Sequence, residues 1–148
     1  MRELLAESFH AAVAAADPLK ILPSQLPQAP SGRIFVAAAG KAAASMAVAA
    51  EKHYGSRLDG IAITRYGHGL PTQRIRVVEA GHPVPDAAGE AAAREILAKT
   101  QGLGENDLLL ALLSGGGSSL LAFPIEGLSM AELKSLTEIG RASCRERV

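Results

Sequence analysis

Tryptophan is absent from this sequence, aromatic residues make up only 3% of it, there is a single cysteine, and the formal charge is zero. So few rings cannot form a stacking platform for single-stranded nucleic acid. With no basic excess, attraction to a phosphodiester backbone or an anionic membrane has little to act on. Neither nucleic acid nor a membrane is an expected partner. The lone Cys144 supports no disulfide framework, and no His/Cys/Glu spacing suggests a metal site. Long apolar runs are missing too: the longest, residues 108–113, falls far short of the ~20 residues that span a bilayer and ends in Ser-Gly-Gly-Gly. The opening Met1-Arg2-Glu3-Leu4-Leu5 is acidic and amphipathic, unlike a signal peptide, so a soluble, cytoplasmic protein is expected.

What is present is apolar and rich in alanine. The 148 residues are 48% hydrophobic and 20% charged, enough for the core of one domain at most. Leu4, Leu5, Phe9, Ala12, Val13 and Ala16 share one face of a helix over 3–16, which Asp17-Pro18 closes. A proline-rich loop leads to a buried strand over 33–38 and, through Ala39-Gly40-Lys41, to a helix over 42–54. Short strands follow over 60–64 and 74–79, then a helix over 87–99 capped by Asp86, then the most apolar strand, 107–113. Apolar strands alternating with helices indicate an α/β fold, doubly wound and Rossmann-like, with a mostly parallel sheet covered by helices on both faces. Ligands of such sheets lie off the carboxyl ends of the strands, and here those ends carry glycine with polar residues.

Ser114-Gly115-Gly116-Gly117-Ser118-Ser119 follows the apolar strand directly. Glycines accept positive φ and turn successive N–H groups into one concavity, a nest suited to phosphate or carboxylate, to which the serine hydroxyls add donors. Gly40-Lys41 adds a charge. A lysine in the first turn of a helix opposes the macrodipole, at about 0.3–1 kcal/mol, unless an anion sits between them. The motif is not a Walker A loop, since Phe35 stands where its first glycine belongs and Ala42 where Ser or Thr belongs. No GxGxxG is present either. In Glu79-Ala80-Gly81-His82-Pro83-Val84-Pro85-Asp86, His82 is suited either to structural hydrogen bonding or to a ligand contact, and Asp86 to a helix cap, a metal ligand or a base. His68, between Gly67 and Gly69, lies on another strand-end loop, while His10 and His53 fall within helices.

These motifs, with residues 36–47 around Gly40-Lys41 and 113–120 around the triple glycine, resemble the N-terminal domain of the glycerate 2-kinase family, historically also called hydroxypyruvate reductase. The resemblance runs from about Leu4 to Thr137. It implies ATP- and Mg²⁺-dependent phosphorylation of D-glycerate in a cleft between two domains. Lys41 would contact the transferred phosphate or the glycerate, and Gly40, His82 and the loop from Ser114 to Ser119 would bind substrate or phosphate. The family's C-terminal domain has no counterpart here, so this chain alone is expected to be inactive, and an uncovered interdomain face would promote association. Two other readings are a hydroxypyruvate reductase, against which the missing GxGxxG counts, and a sugar-phosphate-binding module without catalysis.

Residues 138–148 lack periodicity and, back-translated, resemble a common sequencing adapter read through in frame. Residues 1–137 are therefore expected to be a partial, incomplete N-terminal α/β domain and 138–148 a non-native tail that includes Cys144. That tail carries three arginines and two glutamates, so omitting it leaves 12 basic and 13 acidic residues and still no basic excess.

Overall fold

The computed structural model describes residues 1–145, with side chains through Gly140. Four strands, β1 (Ile34–Ala39), β2 (Leu58–Arg65), β3 (Ile75–Ala80) and β4 (Leu108–Leu113), form one parallel sheet in the order β3-β2-β1-β4. The expected α/β architecture is thus observed.

Alternation along β1 sends successive side chains to opposite faces. Ile34, Val36 and Ala38 pack under helix α3 (Ala43–Tyr54), whose Ala43, Ala47 and Ala50 are fully buried and allow close approach to the sheet. Phe35, together with Ile61 and Ile63 of β2, lies on the opposite face under α4 (Ala87–Thr100) and the short α5 (Gly117–Leu120). Burying Ile34, Ile63 or Ile75 contributes about 1.5–3 kcal/mol each relative to exposure. Glu51 of α3 ties that helix to the start of β3, because its carboxylate accepts the N–H groups of Gln73, Arg74 and Ile75. Burial raises the Glu51 pKa, but these bonds outweigh it and the net shift is downward.

Three elements depart from expectation. Helix α1 (Arg2–Ala15) forms, but buries none of its residues; Leu4, Leu5, Phe9 and Val13 stay more than half exposed because no described element covers that face. Asp17 closes α1 and also caps the four-residue α2 (Pro18–Ile21), accepting from the Leu19 N–H. β4, for all its leucines, is an edge strand: among the described residues it pairs with β1 alone, and Leu109 and Leu113 remain 45% and 66% exposed. Finally α6 (Met130–Arg145) runs without a break through Glu138, where the composition changes. The last three residues of the expected tail lie outside the described residues.

Candidate ligand site at the sheet switch point

Going from β1 the chain adds β2 and then β3 on one side, and β4 returns to the other side of β1. Strand order therefore reverses between β1 and β4, the position at which doubly wound sheets open a crevice at their carboxyl edge. Both glycine-rich turns lie there. Gly40 follows β1 at φ +126°, and a Cβ at that position would fall 2.2 Å from Ser114 Oγ and 2.6 Å from its carbonyl oxygen. Only glycine lets the turns approach so closely.

Hydrogen bonds join the two turns. The Ser114 N–H donates to the Ala39 carbonyl (2.9 Å), the Lys41 N–H to the Gly115 carbonyl (2.9 Å), and the Ala42 N–H to Ser114 Oγ (3.0 Å). The Gly40 N–H donates to Ile63 on the other neighbouring strand (3.1 Å). Lys41, expected in the first turn of the helix, instead lies one residue before the N-cap Ala42 of α3 and leaves this framework exposed to solvent. Gly116 takes φ +90°, and a Cβ on it would come within 2.6 Å of His82 Nε2 and 3.4 Å of Lys41 Cε. The imidazole, the lysine stem and the glycine backbone thus meet at one point.

Beside them opens a cleft of about 420 Å³ lined by His82, Pro83, Pro85, Gly116, Ser118 and Ser119, with Leu133 and Thr137 of α6 along one wall. The His82–Pro83 peptide is cis. The N–H groups of Gly115, Gly116 and Ser118 take no part in the turn-to-turn bonds described above. Asp86 has the expected role of cap: its Oδ1 accepts the Gly89 N–H of α4, while Tyr66 donates its hydroxyl to Oδ2 (2.8 Å). Burial raises the Asp86 pKa, yet bonds from Gly89, Gly81 and Tyr66 and the charge of Lys134 bring it below the ordinary value.

The structure therefore brings together Gly40, Lys41, His82 and the turn from Ser114 to Ser119. His68 is not among the residues that line the cleft. The Gly67-His68-Gly69 loop turns its backbone instead toward the Glu79 carboxylate, to which Gly69 donates at 2.7 Å, and bonds from Gly69, Gly67 and His68 depress the Glu79 pKa. Sequence reading missed three features. One is the wall supplied by α6, although its start carries a capping-box signal, Ser129 with Glu132, and the two residues exchange hydrogen bonds. Another is Tyr66 as partner of Asp86. The third is Thr64 on β2, one residue past the carbonyl that Gly40 engages: it is fully buried, and its hydroxyl has no hydrogen-bond partner among the described residues.

A protein-family model described as a domain of unknown function, DUF4147, matches residues 4–140. The chain belongs to this family. A relative from Agrobacterium vitis with the provisional name hydroxypyruvate reductase is 46% identical over 143 residues, covering 96% of this chain and 33% of the relative. A glycerate 2-kinase of Pyrococcus horikoshii is 44% identical over 108 residues, covering 73% of this chain and 24% of that protein. The crystal structure of a glycerate kinase from Thermotoga maritima superposes with a TM-score of 0.81 at 37% identity, covering 95% of this chain and 34% of the other. The resemblance to glycerate 2-kinases drawn from the Gly40-Lys41, His82 and triple-glycine motifs is borne out. The chain spans about a third of the length of the relatives it matches over nearly its whole extent. Among the described residues no helix is long and apolar enough to cross a membrane.

Proposed function

We propose that this chain supplies the phosphate- and substrate-binding half of a D-glycerate kinase that uses ATP. The observation that carries the reading is the convergence of Lys41, His82 and Gly116 at the switch point of the sheet. Phosphoryl transfer depends mainly on positioning and on neutralising charge. Lys41 offers the cation, and the turn from Ser114 to Ser119 offers backbone N–H groups and the exposed Ser118 hydroxyl to a phosphate or to the glycerate carboxylate. His82 flanks the same point and is suited to a hydrogen bond with the substrate. An anion held here would also relieve the conflict between the Lys41 ammonium and the positive end of α3.

Kinases of this kind pair the nucleotide with Mg²⁺, which is commonly held through phosphate oxygens and one or two carboxylates. The described residues contain no cluster of acidic or imidazole groups fit to hold a metal, and Asp86 and Glu79 are committed to backbone N–H groups. No step is therefore assigned to a metal held by this chain. We read residues 1–137 as the native part of the N-terminal domain and 138–148 as an appended tail; source DNA that continues naturally through codons 136–148 would refute that division.

The provisional name of the Agrobacterium relative favours a second reading, reduction of hydroxypyruvate. One pair of assays separates the two. With the full-length protein that carries this region, glycerate-dependent ADP release is expected, without NADH oxidation on adding hydroxypyruvate, and the 148-residue chain alone is expected to give neither. NADH oxidation without ADP release would reverse the assignment, and ligand binding without any turnover would leave a non-catalytic binding module.

A further inference from the structure

We propose that Ser114 is a positioning residue that acts through Lys41, holding the backbone from which the lysine projects. The proposal rests on the phosphotransfer reading above and deepens it. The first N–H groups of a helix have no partner within the helix and are normally satisfied by a capping side chain. In α3 the N-cap position is filled by Ala42, which has no side chain able to cap. A different strand end supplies an acceptor for the N-cap residue itself: Ser114 Oγ receives the N–H of Ala42 at 3.0 Å across a separation of 72 residues.

The remaining bonds make this a clamp. β1 and β4 are paired through Ala39 and Leu113, and the Ser114 N–H extends the ladder by one bond to the Ala39 carbonyl. Beyond that point the strands diverge into their turns, and the contact passes to Lys41 N–H on the Gly115 carbonyl and Ala42 N–H on Ser114 Oγ. Lys41 is therefore fixed by its own amide and by the amide that follows it. Its four-carbon stem is intrinsically flexible, so fixing its root is how the fold limits where the ammonium travels. The other two serines of the turn do not reach α3. Ser119 donates its hydroxyl to the Gly116 carbonyl within its own turn, and Ser118 is exposed. Gly40 completes the device, since any side chain there would strike Ser114 Oγ.

The test is a double-mutant cycle in the full-length protein, with Ser114→Ala, Ser114→Thr, Lys41→Ala and the Ser114→Ala/Lys41→Ala pair, each also followed by amide hydrogen exchange without substrates. Ser114→Ala is expected to lower kcat for glycerate-dependent ADP release by about tenfold to a hundredfold, the scale of a small misplacement of a catalytic group. KM for ATP and for glycerate should change little. Ser114→Thr, which keeps the acceptor, should restore most of the rate. In the Lys41→Ala background, removing Ser114 should cost nothing further, because both changes disable one group. Exchange at the Ala42 amide should accelerate in Ser114→Ala and not in Ser114→Thr. Full multiplication of the Ser114 and Lys41 effects, or a rise in KM alone, would make Ser114 a direct ligand contact and overturn the proposal. Unchanged turnover in Lys41→Ala would refute it by removing Lys41 from the reaction; the Ala42 exchange rates then tell whether the clamp also fails or only the phosphotransfer reading.

Discussion

At Gly116 the backbone sits at φ +90° with the His82 imidazole and the Lys41 stem against it, so both conformation and space forbid a side chain. Gly116→Val should therefore displace His82 or Lys41 and weaken glycerate binding in the full-length protein. A calorimetric titration matching the parent protein would show that the turn tolerates what its geometry forbids. Residues of this kind were legible in the sequence, because a glycine run directly after an apolar strand marks a backbone that must turn sharply where side chains would obstruct it. Asp86 was legible in a similar way, its spacing to the following helix marking a cap. The partner of the Ser114 hydroxyl was not. Which of three neighbouring serines faces a helix 72 residues away depends on the register of β1 against β4, and no local pattern encodes that register.

Among elements, periodicity located every strand and the three longer helices α1, α3 and α4, but not what covers them. The six apolar residues of β4 predicted a strand buried on both faces, whereas it borders the sheet with Leu109 and Leu113 exposed. Hydrophobicity reports what a segment can bury, not whether a partner is adjacent. Similarly the apolar stripe of α1 formed a helix without a covering surface. At the opposite end of the sheet from the site, β1 and β4 are tied by Asp107. It accepts from the Arg33 guanidinium (2.8 Å), the Gly104 N–H and the Arg33 N–H, and these bonds hold its carboxyl well below the usual range. A carboxyl whose pKa is lower in the folded state contributes stability that is complete above its unfolded value and is lost as pH falls toward the folded one. Asp107, together with Glu51, should therefore make the fold progressively weaker below about pH 4, the ordinary carboxylate range. Urea midpoints measured between neutral and acid pH should fall for the parent protein and fall less for Asp107→Asn. An equally steep acid loss in the variant would shift the cause to other carboxyls.

For the molecule as a whole, the arrangement is a four-stranded doubly wound sheet whose strand order reverses where its two glycine-rich turns meet. Lys41 and His82 border that meeting point from β1 and from the end of β3, while α6 closes one side of the adjoining cleft. The site is open elsewhere, and apolar surface on β4 and α1 lies uncovered in a chain that spans about a third of its relatives' length. Under the proposed kinase reading, both features fit half of a site. The central claim is that the cation at this switch point serves phosphoryl transfer to glycerate. Its most direct test is glycerate-dependent ADP release by full-length Lys41→Ala, with circular dichroism as the check on folding. Loss of a charge-stabilising group from the transition state predicts a fall of about 10²–10³ in kcat with the fold intact. Turnover equal to that of the parent protein would contradict the account.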